Sequence, residues 1–334
     1  PAEAEEGTGF WQGVVDWFTG LFGGGDEASG EASAYGVGNA NGDYTNNGGA
    51  NNDHGGNGNT NNGNGKPGNN GNGSGNNGNG NSKGDGGAIS DWAVKKLKKL
   101  YVGIENGPFP LSILGMLDEL KELHMNKMWL YDIADLTYLK HIEVLDVSTN
   151  LFCDLSPLQY MKDSLRNLNI SNCEYLRDLS ILEEFPNLEV LDISFDHIKD
   201  FSFLKKLKNL KALRATQSGL CDLRNLKGLI RMEKLDISEN RVEHTEILKE
   251  MKLLRYFKAS CCFLKDIDFL KNAKDLVELN VFNNHIKHIE VLKGCEHMTT
   301  LDVGNNDIRN IDSLEDMINL ECLGLSHNNI SDLT

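Results

Sequence analysis

Hydrophobic residues recur with a period of 22 along the C-terminal two-thirds of the chain. The pattern is L-x-x-L-x-L-x-x-N-x-I-x-x-I-x-x-L-x-x-L-x-x, and seven units of it begin at Leu188, Leu210, Met232, Leu254, Leu276, Met298 and Leu320. Further units begin at Leu120, Ile142 and Leu165, the last two being one residue longer, and a degenerate unit lies near Leu97. A fixed period of this length indicates a solenoid, in which each coil packs only on its neighbours.

The spacing within one unit predicts the path of each coil. We number its positions 1 to 22. Side chains alternate across a strand, so in the L-x-L tripeptide positions 4 and 6 should face the core and positions 3 and 5 should face outward. Such short strands stack as a parallel sheet. Position 9 should follow as a turn where an Asn side chain hydrogen-bonds the backbone of adjacent coils; this structural ladder comprises Asn150, Asn240, Asn284, Asn306 and Asn328.

The other side of each coil should contain a short helical turn. Residues of the type that cap helix N-termini follow position 9 by four residues in many coils: Asp132, Asp154, Asp200, Asp222, Asp266 and Asp332. One carboxylate per coil is better explained as a cap than as a metal ligand. The predicted fold class is therefore α/β, a repeat solenoid with a concave parallel β-sheet and short 3-10 or helical turns on its convex side.

These units resemble the leucine-rich repeats of bacterial internalins, and they are also similar to those of the leucine-rich regulatory subunit of type-one protein phosphatase. Both groups use 22-residue units of the form N-x-I-x-D-I-x-x-L, and the resemblance covers residues 97–334. It implies a curved, right-handed solenoid of about ten to eleven coils whose concave face binds another macromolecule. The repeat motif specifies the scaffold, whereas the partner depends on the variable positions.

Residues 1–90 differ sharply in composition, because they contain 27 of the 35 glycines. We expect residues 25–90, rich in Gly and Asn, to be a disordered linker, because too few apolar groups offset the entropy of ordering the chain. Residues 1–24 form an acidic tail whose segment 10–22 has helical spacing of apolar groups, which predicts a short docking helix or the end of an upstream domain. Residues 91–334 form the repeat domain. Because the chain ends in mid-coil, we expect a fragment of a longer protein.

Charge and cysteine content narrow the range of functions. The net charge of −16 gives no basic stripe for nucleic acid, and no apolar run is long enough to span a membrane. Seven cysteines without a C-x-x-C motif argue against a disulfide framework and against zinc, and most are expected to be core residues. This favours a reducing cytoplasm or a bacterial surface.

We predict a protein-binding scaffold, with no enzymatic activity, no cofactor, no metal and no small-molecule substrate. Charges of both signs alternate at positions 3 and 5 of the middle coils, together with aromatic residues of the kind found in binding hot spots. The predicted protein-binding residues on the concave face are Phe195, Arg214, Lys234, Asp236, Tyr256, Lys258 and Phe282. Two alternatives are a regulatory subunit that docks on an enzyme such as a phosphatase, and a bacterial surface adhesin tethered by the Gly/Asn arm.

Overall fold

The computed structural model describes residues 95–103 and 111–331. This part of the chain contains one open sheet of parallel strands in sequence order, and each strand is three residues long. The strands are β1 (Lys99–Tyr101), β2 (Glu122–His124), β3 (Val144–Asp146), β4 (Asn167–Asn169), β5 (Val190–Asp192), β6 (Ala212–Arg214), β7 (Lys234–Asp236), β8 (Tyr256–Lys258), β9 (Glu278–Asn280), β10 (Thr300–Asp302) and β11 (Cys322–Gly324).

Each strand occupies positions 3 to 5 of its coil, and neighbouring strands pair at identical positions. Lys234 of β7 lies beside Tyr256 of β8, for example, and Tyr256 lies beside Glu278 of β9. The pairing is uniform because the middle residue of each strand from β2 to β10 is a buried apolar side chain, so a shift of one residue would expose it.

The return side of each coil contains 3-10 turns. Apolar residues recur there every third position, as in Leu264, Ile267 and Leu270, and three residues per turn is the 3-10 period. The segments are Leu111–Met116, Ala134–Tyr138, Ser156–Met161, Ser180–Glu184, Ser202–Lys206, Leu223–Leu226, Thr245–Glu250, Asp268–Asn272, Glu290–Leu292 and Asp312–Leu314. The predicted fold class is thus confirmed.

Aspartate side chains begin most of these turns. Asp154 Oδ1 accepts a hydrogen bond from Ser156 N at 2.8 Å, and Asp200 Oδ1 does the same for Ser202 N at 2.8 Å. Asp178, which the repeat pattern did not single out because its coil is one residue longer, accepts from Ser180 N at 2.8 Å. Asp332 and residues 1–90 lie outside the described residues.

One continuous core runs between the sheet and the 3-10 side. The coil of β8 shows its composition, with nine buried side chains at positions 1, 4, 6, 9, 11, 14, 16, 17 and 20: Leu254, Phe257, Ala259, Cys262, Leu264, Ile267, Phe269, Leu270 and Ala273. Phe257 replaces the usual Leu and meets Phe269 edge to face, with ring centroids 5.7 Å apart.

No helix in the described ranges has the length and hydropathy needed to cross a membrane.

The cysteines differ from the expectation that most are core residues. Three of them, Cys173, Cys262 and Cys295, are buried, while Cys153, Cys221 and Cys322 are exposed and Cys261 is partly buried; all are free thiols. The buried three occupy positions that the repeat places inside the coil, whereas the exposed ones lie in variable positions where the repeat imposes no apolar residue.

Candidate protein-binding face

The position-9 asparagines join each coil to the one before it. The Asn240 amide donates from Nδ2 to the carbonyl oxygens of Ala215, Ile237 and Ser238 at 2.7, 2.9 and 3.0 Å. Its Oδ1 accepts from Gly219 N at 2.9 Å. Asn150, Asn284, Asn306 and Asn328 donate from Nδ2 to the equivalent carbonyls. Their Oδ1 atoms accept from one backbone N–H of the preceding coil in Asn306 and Asn328 and from two in Asn150 and Asn284. These side chains therefore satisfy backbone groups that the sheet ladder does not reach.

The position just before position 9 has a left-handed backbone conformation in most coils. Position 8 has a positive φ in ten coils, occupied by Lys127, Thr149, Asn172, Phe195, Gln217, Glu239, Cys261, Asn283, Asn305 and His327. In nine of these coils, all but that of His327, the position-8 N–H donates to the position-7 carbonyl of the following coil, as Phe195 N does to Thr216 O at 2.8 Å. The contact offsets the cost of holding a residue other than glycine in this conformation.

Position 5 has a structural use that the sequence pattern did not reveal. Where it is Asp or Asn, Oδ1 accepts a hydrogen bond from the N–H two residues later, and the distances lie between 2.9 and 3.1 Å: Asp146, Asn169, Asp192, Asp236, Asn280 and Asp302. These side chains close a local turn at the end of those six strands. Acidic groups at position 5 are thus explained by backbone capping before any role in binding is considered.

Three position-5 residues break this rule and are basic, namely His124, Arg214 and Lys258. Arg214 lies between two carboxylates, with Nη1 3.5 Å from Asp192 Oδ2 and Nε 3.9 Å from Asp236 Oδ2. Burial raises the pKa of Asp192 to about 6, and the nearby guanidinium opposes that rise. Lys258 Nζ lies 2.8 Å from Glu278 Oε1 on the next strand.

Lys234 and Asp236, at outward positions 3 and 5, are nevertheless buried by their neighbours on the sheet. The Lys234 ammonium lies 4.7 Å from the centroid of the Tyr256 ring on the next strand, which places the long side chain along the sheet. Burial lowers the pKa of Lys234. Asp236 is drawn onto the backbone by its bond to Ser238 N. The outward residues Val190 and Ala212 are buried as well.

Tyr256, Lys258 and Phe282 are partly exposed on adjacent coils, and we call them the β8–β9 patch. Phe282 occupies position 7, two residues after the end of β9, and its N–H donates to Asn280 Oδ1 at 3.0 Å. In the following coil position 7 is Gly304, where a Cβ would lie 3.1 Å from Phe282 Cδ2. The missing side chain of Gly304 therefore leaves the space in which the Phe282 ring lies.

Phe195 is 43% exposed, but it is not part of this patch. It follows β5 at position 8, and strands β6 and β7 separate its coil from that of Tyr256. At about 4.8 Å per strand, the two coils are roughly 14 Å apart. Phe195 therefore lies apart from Tyr256 and Phe282 along the solenoid.

A second outward cluster, on β1 to β3, was missed. The rings of Tyr101 and His124 stack with centroids 4.5 Å apart, and Tyr101 Oη donates to Glu122 Oε1 at 2.6 Å. That hydrogen bond raises the pKa of Tyr101 to about 12. Burial lowers the pKa of His124, but the carboxylates of Asp146 and Glu122 outweigh it and the pKa is raised overall. The signal in the sequence was His124 at a position that is otherwise Asp or Asn in most coils.

Position 2 carries an ionic ladder, with ion pairs between Lys121 and Glu143, Arg166 and Glu189, and Lys211 and Glu189. Its residues alternate in sign over seven coils: Lys121, Glu143, Arg166, Glu189, Lys211, Glu233 and Arg255. Glu189 bridges two of them, with oxygens 3.2 Å from Arg166 Nη1 and 2.6 Å from Lys211 Nζ.

Within residues 95–103 and 111–331, no three His, Cys, Asp or Glu side chains come together as a potential metal site.

Comparison with known proteins agrees with this repeat geometry. Residues 163–206 match the family model for leucine-rich repeats, two copies. A stretch of 107 residues is 35% identical to leucine-rich repeat and WD repeat-containing protein 1 of Xenopus laevis, covering 28% of this chain. The chain spans only 14% of the length of that relative.

Solved structures show the same fold at low sequence identity. An internalin of Listeria monocytogenes matches with a TM-score of 0.55 and 23% identity over 73% of this chain and 85% of its own. A leucine-rich repeat protein of Leptospira interrogans matches with a TM-score of 0.56 and 18% identity over 72% and 69%. The Arabidopsis receptor kinase HAESA ectodomain, in complex with an IDA peptide hormone, matches with 0.55 and 22% over 65% and 40%. The described coils therefore have the leucine-rich repeat fold, and this solenoid resembles those of the internalins.

Proposed function

We propose that the repeat domain is a protein-binding scaffold, without enzymatic activity, and that the β8–β9 patch is the centre of its interface. The observation that carries the proposal is the outward side of β8 and β9. There Tyr256 and Lys258 are partly exposed on the sheet, and Phe282 follows on the next coil. Large aromatic side chains beside a basic group are the residues that most often dominate the energy of protein interfaces.

Rigid presentation supports this choice. The backbone of these residues is bonded on both sides, to β7 and to β10. Lys258 is oriented by Glu278, and Phe282 by its seat over Gly304. A partner that binds here therefore orders few side chains, and less conformational entropy opposes association.

The family also supports a binding role. Leucine-rich repeat proteins commonly act as interaction scaffolds, and the similar HAESA ectodomain was solved with a peptide hormone. That likeness concerns the fold, so we place the interface of this chain from its own side chains. The cluster of Tyr101 and His124 would form a second contact region if the partner extends along the sheet toward β1.

Affinity capture with matched variants tests the proposal. The wild-type chain, Tyr256→Ala, Phe282→Ala and a triple alanine variant of Lys205, Lys206 and Lys208 are immobilised in equal amounts and exposed to a native cell extract. The three lysines are exposed on the 3-10 side, so the triple variant is the control for charge loss away from the sheet.

We expect a protein that is captured by the wild type and by the triple variant, but not by either aromatic variant. With that partner purified, Tyr256→Ala should weaken binding by about 2 kcal/mol or more, roughly a thirtyfold rise in Kd, with little change in melting temperature. Loss of capture in the lysine variant alone would reject the sheet face. Capture of phosphatase activity would identify the partner as an enzyme that the domain regulates.

A further inference from the structure

The coil of β5 departs from the asparagine ladder, because Asp196 occupies position 9 there. In the coils that carry Asn at position 9, the side-chain amide has two roles, first as a hydrogen-bond acceptor and second as a donor. Its Oδ1 accepts from backbone N–H groups of the preceding coil, and its Nδ2 donates to backbone carbonyls. For Asn150 these carbonyls belong to Met125 and Val147, at 2.9 and 2.8 Å. An ionised carboxylate can take the first role only, since it has no hydrogen to donate.

Asp196 accepts a hydrogen bond from the preceding coil as the asparagines do, but no hydrogen bond from it to a backbone carbonyl is present in the described part of the chain. Its Oδ1 accepts from Cys173 N at 2.7 Å. Its Oδ2 is buried and has no hydrogen-bond partner in the described part of the chain, and the residue as a whole has no exposed surface. The pairing of Asn167 with Val190 makes Ile170 and Ile193 the counterparts of the residues whose carbonyls an asparagine would meet. Because Oδ1 takes the acceptor role, Oδ2 is the counterpart of the asparagine Nδ2 in this slot.

We propose that Asp196 is a neutral carboxylic acid in the folded protein, and that its proton makes the coil of β5 a pH-sensitive joint between β4 and β6. The Oδ2–H group donates to a backbone carbonyl as Asn Nδ2 does in the other coils. When the proton leaves, a buried negative charge faces carbonyl oxygens, which carry partial negative charge, and the contact between the two coils weakens.

The groups around Asp196 favour the protonated form. Burial raises the pKa of Asp196 to about 8, although the hydrogen bond from Cys173 N opposes the rise. Asp192, in the same coil, adds a second acidic group that raises the pKa further, and Arg177 of the preceding coil lowers it. Cys173 and Ser218, at position 9 of the coils before and after, are buried residues, and the pKa of the Cys173 thiol is itself raised by burial to about 12.

The direction of the pH effect follows from proton linkage. The pKa of Asp196 is higher in the folded state than the ordinary value of 3.8, so the folded state binds the extra proton. Its contribution to stability is complete below pH 3.8 and is lost as the pH rises toward 8. Between these values the unfolding equilibrium constant should increase about tenfold per pH unit because of this group. Above about pH 8 the contribution should no longer change.

The test compares the wild type with Asp196→Asn over pH 5 to 9. Unfolding is followed in urea, and native-state hydrogen exchange of the Cys173 amide reports the same contact locally. Asp200→Asn is the matched control, because Asp200 is an exposed carboxylate in the same coil that accepts from Ser202 N. Asn at position 9 is present in other coils, so the variant is expected to fold.

We expect the ratio of the two unfolding constants, wild type to Asp196→Asn, to rise about tenfold per unit between pH 5 and 7 and to level off near pH 8. The control should follow the wild type. Equal pH dependence of wild type and Asp196→Asn would overturn the proposal. So would failure of Asp196→Asn to fold. If added Na⁺ or Ca²⁺ stabilised the wild type but not the variant, a cation would occupy the slot instead, and the proton proposal would be rejected.

Discussion

Replacing a ladder asparagine by alanine should destabilise the solenoid by an amount that the neighbouring hydrogen bonds determine. Asn240→Ala removes the Nδ2 donor from the carbonyl oxygens of Ala215, Ile237 and Ser238, but most of these oxygens keep another donor. Ala215 O still accepts from Ser218 Oγ at 2.8 Å, and Ser238 O from Gln217 N at 2.9 Å. Only the Gly219 N–H loses its partner outright. A fully buried unsatisfied donor costs about 1–3 kcal/mol. Gly219 is exposed and its bond to Asn240 is only partly buried, so the loss in the free energy of unfolding should lie at or below the lower end of that range.

The same reasoning predicts an order among the ladder positions. Asn284 Oδ1 accepts from two backbone donors, Cys262 N at 3.1 Å and Leu264 N at 2.9 Å. Asn284→Ala leaves both without a partner, so it should cost more than Asn240→Ala by roughly another 1–3 kcal/mol.

Urea denaturation followed by circular dichroism measures the difference. The matched control is Asn187→Ala, because Asn187 also joins two coils, through Nδ2 to Asp163 O at 2.8 Å, but at an exposed site. There water replaces the lost bond, and the change should be within about 0.5 kcal/mol. The reasoning would be refuted if Asn284→Ala were no more costly than Asn187→Ala, or if Asn240→Ala were the most damaging of the three.

Three further predictions concern the core, the strand ends and the ionic ladder. Leu235→Ala removes a buried side chain and should lower the free energy of unfolding by about 2–5 kcal/mol, measured in the same urea assay. Asp236→Asn keeps the hydrogen bond to Ser238 N, so it should lower the free energy of unfolding less than Asp236→Ala does. If both variants lowered it equally, the charge of Asp236 rather than its turn-closing hydrogen bond would be the stabilising feature. Glu189→Gln should cost at most about 1 kcal/mol in low salt, and 1 M NaCl should abolish the difference from wild type, because screening removes the ionic part.

Much of the fold could be predicted because the repeat constrains it in every coil. The spacing of Leu235 and Ile237 defines a strand with an inner face, and the 22-residue period places that strand beside Phe257 in the next coil. Asn240 could be assigned to the backbone because a polar residue at a fixed position of a buried turn must have partners. These inferences use only chain geometry and the need to satisfy polar groups.

The candidate site was less predictable, because outward side chains depend on their neighbours across the sheet. Alternation alone places Lys234 outside. Its burial arises from the Tyr256 ring on the next strand, and the single-coil pattern does not contain that contact. Asp236 likewise carries a charge in the sequence, but its oxygen serves the backbone of Ser238. In both cases the local pattern gives the direction of the side chain, and the adjacent coil determines what the side chain does.

The two longer coils have a consequence for how such a chain changes over time. From β3 to β4, and from β4 to β5, the spacing is 23 residues, yet these strands pair at identical positions. In the coil after β3 the additional residue falls between Asn150 and β4, outside the sheet. Single insertions on the return side are therefore tolerated, whereas one inside a strand would turn Leu235 outward. Loss of residues 234–255 as a block would join β6 to β8 in unchanged pairing and set Arg214 beside Lys258. Gain or loss of whole coils is thus a route by which the outward surface can be rearranged while the scaffold persists.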